Sequence, residues 1–141
     1  MYKTIGYTTG AFDLFHIGHL NIIKKAKSLC DELIVGVSTD ELIYKYKQRK
    51  SIISFSERLE IVRSIKYVDL AIAQINLDKY EAWKKIKFNK IFVGDDWFGS
   101  QQWNMLEKKL KKNNVEFIYF PYTDNISTTK IKEIIIKVNQ K

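Results

Sequence analysis

One cysteine stands in the 141 residues of this chain. Cys30 therefore has no partner for an internal disulfide, and no zinc-type cysteine spacing can be formed; both facts suit a reducing, cytoplasmic setting. Long apolar runs are missing too. Stretches such as Ile134-Ile135-Ile136 are far too short to cross a bilayer, so neither a signal peptide nor a membrane span is expected. The chain has no Gly-x-Gly-x-x-Gly run, which removes the main support for a nicotinamide or flavin dinucleotide site. Internal repeats and low-complexity segments are absent as well.

What is present is enough apolar material for a core and an excess of positive charge. Hydrophobic residues make up 45% of the chain, which fits one domain over residues 1–141. The formal net charge of +8 favours an anionic partner, and nucleic acid, an acidic membrane or a phosphorylated small molecule would each satisfy it. Much of that charge lies at Lys108, Lys109, Lys111, Lys112 and from Lys130 to Lys141, positions that read as solvated helix faces. Cys30, at the end of an apolar helix, reads as a packed small residue.

Apolar, β-branched runs at Thr4 to Tyr7, Leu33 to Val37, Val68 to Ala73, Ile91 to Val93 and Phe117 to Phe120 predict buried strands, with helices between them. The first helix carries Ile17, Leu20, Ile23, Ala26 and Leu29 inward. Another is predicted from Ser54, whose hydroxyl would cap it while Glu57 reaches back, with Leu59, Val62 and Ile65 on its inner face. A third begins near Gln101 with Trp103, Leu106 and Leu110 on one stripe, and the last near Ser127. This alternation predicts an α/β, Rossmann-like, three-layer domain built on a parallel sheet. In such a sheet ligands lie beyond the carboxyl ends of the strands. The segments Thr8 to His19, Ser38 to Lys50, Gly94 to Trp97 and Tyr122 to Thr129 are all expected there as loops.

The run Gly10-Ala11-Phe12-Asp13-Leu14-Phe15-His16-Ile17-Gly18-His19 follows a strand and opens a helix. His16 and His19 are three apart and face the same way in a first turn whose amides attract phosphate. Two nearby histidines alone would read as polar residues at a helix start; the complete run reads as a phosphate site. Each imidazole can donate to a triphosphate oxygen as charge builds during attack at the α-phosphorus.

This run resembles the HxGH motif of the cytidylyltransferase branch of the nucleotidylyltransferase superfamily. The basic segment Lys47-Gln48-Arg49-Lys50 ahead of Arg58, the run Gly94-Asp95-Asp96-Trp97 and the run Ile126-Ser127-Thr128-Thr129-Lys130-Ile131 agree with that family in order and spacing. The resemblance covers almost the whole chain and is nearest to bacterial enzymes acting on glycerol 3-phosphate. It implies transfer of CMP from CTP to a small phosphorylated alcohol, giving pyrophosphate and a CDP-linked product for a cell-envelope or capsule polymer. Phosphocholine, phosphoethanolamine and another polyol phosphate stay open as acceptors. Catalysis would fall to His16, His19, Lys47 and Arg49. Gly10, Ala11, Phe12, Gly94, Asp95, Asp96, Tyr122, Thr123, Ile126, Ser127, Thr128 and Thr129 would join the histidines and Arg49 around the nucleotide. Asp13, Lys47, Arg58, Lys79 and Trp97 would meet the acceptor. Mg²⁺ would arrive on the triphosphate, no metal ligand set is expected in the protein, and a homodimer is implied.

Each of these residues also has a plainer explanation. The basic tetrapeptide could be a solvated turn, Arg58 a surface ion pair, Gly94 to Trp97 a strand-ending turn, and Ser127 to Thr129 a helix cap. The chain departs from the family pattern at Tyr122-Thr123-Asp124-Asn125, where relatives carry Arg-Thr-Glu-Gly, and at Ala11, where a threonine is usual. An adenylyltransferase of the same superfamily and an inactive nucleotide- or RNA-binding module, using Tyr44-Lys45-Tyr46-Lys47 to stack on bases, are the competing functions.

Overall fold

The structure, a computed structural model, describes residues 3–94, 101–121 and 128–140. Its elements run β1 (Ile5–Gly10), α1 (Ile17–Ser28), β2 (Glu32–Ser38), α2 (Asp40–Lys47), α3 (Phe55–Arg63), β3 (Leu70–Gln74), α4 (Lys79–Ile86), β4 (Lys90–Gly94), α5 (Gln101–Lys111), β5 (Glu116–Phe120) and α6 (Thr128–Asn139).

The strands form one sheet in the order β3-β2-β1-β4-β5, and every neighbouring pair is parallel. Parallel strands are buried on both faces, and the side-chain period of two divides β2 between two cores. Leu33, Val35 and Val37 pack with Ile23 and Ala26 of α1 and Val62 of α3. Ile34 points the other way and joins Tyr7, Phe88, Ile91 and Leu110. The result is the three-layer architecture expected from the alternating pattern. Among the described residues no helix is long and apolar enough to cross a membrane.

All five predicted strands are present, with shifted ends. β1 runs on to Gly10, because Thr8 and Thr9 continue the β2 ladder opposite Val35 and Gly36. β3 starts at Leu70 rather than Val68, since Asp69 leaves the ladder to accept hydrogen bonds from the Leu33 amide and Lys27.

Two local expectations are corrected. The stretch Ser38 to Lys50 is helical from Asp40 to Lys47. Thr39 caps it by accepting from the Leu42 amide at 3.1 Å, Asp40 and Glu41 occupy its first turn, and Gln48 ends it at φ 54°; all three features favour a helix. At α3, Ser54 holds the N-cap position but makes no side-chain cap bond. Its hydroxyl donates to Glu57 Oε2 at 3.2 Å instead, so the reciprocal capping box is not formed.

In this strand order the chain leaves β1 toward β2 and β3 on one side and later returns to β4 and β5 on the other. The crevice at that reversal, beyond the carboxyl ends of β1 and β4, is where α/β sheets hold ligands.

Candidate active site

β1 ends at Gly10, where an added Cβ would lie 3.1 Å from the Phe12 ring, so the ring folds closely over the strand end and would have to shift by a few tenths of an ångström to admit a larger residue. The next turn is strained. Phe12 and Leu14 have positive φ angles of 54° and 50°, a conformation that costs bulky residues roughly 1–3 kcal/mol each and needs support from its surroundings. Asp13 between them supplies it. Its carboxylate is buried and accepts hydrogen bonds from the Ile52 and Ile53 amides at 2.8 and 2.9 Å, tying this turn to the loop after α2.

The chain then enters α1 through a cap built by imidazoles. The Gly18 amide donates to His16 Nδ1 at 3.0 Å, and the His16 amide donates to His19 Nδ1 at 3.2 Å. The first-turn amides expected to await phosphate are thus partly taken. Because both Nδ1 atoms accept, the hydrogen on each neutral ring resides on Nε2. The rings stack at 3.9 Å, and Phe12 and Phe15 flank His19 at 5.4 and 5.2 Å. Burial, then the neighbouring His16, lowers the pKa of His19 to about 4; burial also lowers that of His16. At neutral pH both histidines are uncharged donors.

They line a cleft of about 580 Å³. Five cationic side chains border it, Lys47, Arg49, Lys50, Lys79 and Lys132, against the one described carboxylate, that of Asp13. Such an imbalance is costly when empty and favours a polyanion. Lys47 is the last residue of α2, and Arg49 and Lys50 follow on the loop toward α3. Burial, then the charges of Arg49 and Lys132, holds the Lys47 ammonium below its ordinary pKa.

Lys79 enters from the first turn of α4. It is 8% exposed, and its ammonium donates to Thr9 Oγ1 at 2.7 Å. Burial pushes its pKa down to about 7. A charged form that is penalised only in the folded state destabilises the protein at and below pH 7, and the penalty is relieved as pH rises from 7 toward 10.5. Lys79→Met is expected to remove that slope from the thermal midpoint measured between pH 6 and 9.5, leaving the variant at least as stable as wild type at pH 6.

Arg58 corrects a sequence expectation. It is fully buried and reaches neither solvent nor the cleft. Its Nε donates to the Ile53 carbonyl at 2.9 Å, and Nη1 donates to the carbonyls of Ala11 and Ser38, both at 2.7 Å. Nη2 pairs with Asp40 at 2.7 Å. A planar fork with several fixed donors suits this work: Arg58 bolts together the ends of β1 and β2 and the loop that carries Arg49. Burial alone would raise the Asp40 pKa, but hydrogen bonds from Arg58, the Phe55 amide and Ser51 outweigh it and leave it lowered.

Gly10, Ala11, Phe12, Gly94 and Thr129 also border the cleft. Asp95, Asp96, Trp97, Tyr122, Thr123, Ile126 and Ser127 lie outside the described residues, and Thr128 begins α6. Trp103 and Lys132 are among the cleft residues that the sequence reading did not place there. Trp103 was read only as part of an apolar stripe; its Nε1 donates to the Tyr119 hydroxyl at 2.8 Å, and that hydroxyl donates to Glu107 at 2.8 Å. Lys132 was counted with a solvated tail, yet it faces Asp13 Oδ2 at 3.6 Å. Its spacing of three from Thr129 was the available signal.

A cationic cleft with paired imidazoles, at the carboxyl edge of a parallel Rossmann-like sheet, defines an α/β protein built to hold a polyanion. The chain belongs to the cytidylyltransferase-like family, whose model matches residues 7–134. It is 42% identical over 134 residues to a glycerol-3-phosphate cytidylyltransferase from Bacillus spizizenii, covering 94% of this chain and 96% of that one. It is 35% identical over 136 residues to an FAD synthase from Thermococcus sibiricus, covering 93% and 89%. Among solved structures, the lipopolysaccharide core biosynthesis protein from Thermoplasma volcanium superposes with a TM-score of 0.71 at 26% identity, over 86% of this chain and 98% of that one.

Proposed function

We propose that this protein is a cytidylyltransferase that joins CMP from CTP to glycerol 3-phosphate, releasing pyrophosphate and CDP-glycerol. The observation that carries this reading is the pair of neutral imidazoles, fixed as Nε2–H donors at the start of α1, in a cleft with five cations and one described carboxylate. The relatives named glycerol-3-phosphate cytidylyltransferase support the choice of nucleotide and acceptor.

An acceptor phosphate oxygen attacks the α-phosphorus in line. The bond from that phosphorus to the bridging oxygen breaks, and its electron pair leaves on pyrophosphate. The acceptor is already an anion, so no strong base is required; positioning and charge stabilisation carry the rate. His16 and His19 donate to oxygens gaining charge, as an oxyanion hole does. Arg49 neutralises the triphosphate, while Lys47 and Lys79 receive the acceptor phosphate, so that two anions approach each other without prohibitive repulsion. Arg58 and Asp13 hold the loops that carry these groups. Among the described residues no cluster of three or more His, Cys, Asp or Glu could hold a metal ion, and Mg²⁺ is assigned here to the nucleotide substrate. A cytoplasmic homodimer supplying an envelope or capsule polymer completes the proposal.

The FAD synthase relatives favour a second reading, adenylyl transfer from ATP to a flavin phosphate. Pyrophosphate release with Mg²⁺ should be measured for CTP and ATP, each against glycerol 3-phosphate, phosphocholine, phosphoethanolamine, ribitol 5-phosphate and FMN. Release confined to CTP with glycerol 3-phosphate is expected. Release with ATP and FMN would replace the first reading by the second, and silence from folded protein across the panel would overturn both.

A further inference from the structure

Gln74 is the last residue of β3 and borders the cleft, yet it is only 6% exposed. Glutamine buried to this degree is ordinarily supplied with partners for both ends of its amide. Here only one end is supplied. The register sets Gln74 beside Ser38 of β2, whose buried hydroxyl donates to Gln74 Oε1 at 2.9 Å. That bond fixes which way round the amide lies and leaves Nε2 with two N–H donors. Among the described residues no acceptor meets them. No side-chain nitrogen or oxygen of the described residues is both sealed from solvent and unpartnered, so the Gln74 nitrogen opens onto the cleft.

The sheet decides what lies near that opening. Thr9 of β1 pairs with Gly36 of β2, and Gly36 stands two residues before Ser38. With a side-chain period of two, Thr9, Ser38 and Gln74 project from one face of the sheet at its carboxyl end. On this face Lys79 holds its ammonium 2.7 Å from Thr9 Oγ1. A fixed neutral donor thus shares a wall with a cation assigned to the acceptor phosphate. The lysines take the phosphate charge, and the amide is left for a neutral oxygen of the same molecule.

The wall offers nothing to a positively charged acceptor. Asp13 is the one described carboxylate bordering the cleft, and both of its oxygens accept from the amides of Ile52 and Ile53. The Tyr46 ring, which could otherwise attract an ammonium group, already has the Lys47 ammonium 5.5 Å from its centre. An ammonium or trimethylammonium group beside Lys79 and the Gln74 N–H groups would meet like charge and donors only.

We propose that Gln74 is a specificity-determining residue for the acceptor: its amide, fixed by Ser38, donates to a hydroxyl oxygen carried beside the phosphate. The site therefore takes a phosphorylated polyol and discriminates against phosphocholine and phosphoethanolamine. The proposal rests on the nucleotidyl-transfer reading of this cleft and names what selects its acceptor. Gln74 touches substrate, while Ser38 is a positioning residue that acts through it.

The test measures kcat/KM for pyrophosphate release from CTP with glycerol 3-phosphate and with propyl phosphate, which keeps the reacting phosphate and lacks both hydroxyls. Wild type, Gln74→Met and Ser38→Ala are compared, with thermal midpoints as a check on folding. Wild type should favour glycerol 3-phosphate, because propyl phosphate leaves the buried donor unpaired. In Gln74→Met that preference should shrink at least about tenfold, the scale of one hydrogen bond, while propyl phosphate is used as well as by wild type. Ser38→Ala, which frees the amide to turn, should show part of the same shrinkage. An unchanged preference in a Gln74→Met variant, or an equal loss with both acceptors, overturns the role of Gln74 and leaves the cytidylyl reading standing. Wild type that uses phosphocholine or phosphoethanolamine in preference to glycerol 3-phosphate has the same meaning. Folded wild type that releases no pyrophosphate from CTP with any of these acceptors overturns both.

Discussion

His16→Asn lowers turnover by about 10²-fold or more, the usual cost of one donor aimed at developing phosphate or oxyanion charge, while the fold is retained. Asparagine is chosen because His16 has two tasks. Its Nδ1 accepts from the Gly18 amide, so His16→Ala would also lose a helix cap worth about 1 kcal/mol. The carbonyl of an asparagine side chain can keep that cap while lacking a donor where Nε2 was. Steady-state kinetics beside thermal unfolding separate the two effects. Asparagine should match wild type in midpoint and alanine should fall below it, with both equally slow. Near-normal turnover in the folded asparagine variant would sink the role given to His16.

A pH experiment completes this prediction. The folded pKa of His19 is about 4, against 6.5 for the free side chain. Between those values the unfolded chain binds more protons than the folded one. Stability therefore falls as pH drops from 6.5 toward 4 and is unaffected by this group above that window. Turnover should show no loss from His19 protonation between pH 8 and 5. His19→Gln should flatten the acid limb of the thermal midpoint.

Arg58→Met has the largest expected effect on stability. Removing one member of a buried charged network costs about 3–5 kcal/mol, and the geometry assigns where the cost arises. The Asp40 side chain is 47% exposed and recovers water when its partner leaves. The carbonyls of Ala11 and Ser38 lose close donors within the interior, at roughly 1–3 kcal/mol for each group left unpaired. Arg58→Lys would keep the charge but offers at most three donors to the four acceptors now served, so it should recover only part of the loss. Urea unfolding measures both. A methionine variant within about 1 kcal/mol of wild type would be incompatible with this bracing role.

The same residue marks the limit of reading this chain as a string. Strands declare themselves through β-branched runs, and the run from Gly10 to His19 carries enough consecutive detail to locate the cleft. Arginine, in contrast, is rarely buried, and nothing local announces that Arg58 would meet Asp40, Ser38 and Ala11 at once. α2 was hidden for a different reason. It is eight residues long and ends in alternating tyrosine and lysine, so its apolar face reduces to Leu42 and Ile43 and its basic end resembles a loop. The protonation pattern of the two histidines was also out of reach, since it depends on which amide each Nδ1 meets. Lys132 could have been found by extending the threonine pair by one helical turn; the density of lysine around it concealed the difference between a solvated charge and a held one.

The central strand has a consequence for how the molecule comes into being. Everything needed around His16, His19, Lys47 and Arg49 on the β2–β3 side is complete once residue 74 has been made. The opposite wall waits for β4, whose Phe92 carbonyl accepts from Thr8 across 84 positions of chain, and then for β5 and α6. Long-range parallel pairing forms slowly because a large loop must close first. A chain emerging during synthesis thus acquires the cleft wall that carries Lys47 and Arg49 early, and the wall that carries Thr129 and Lys132 last.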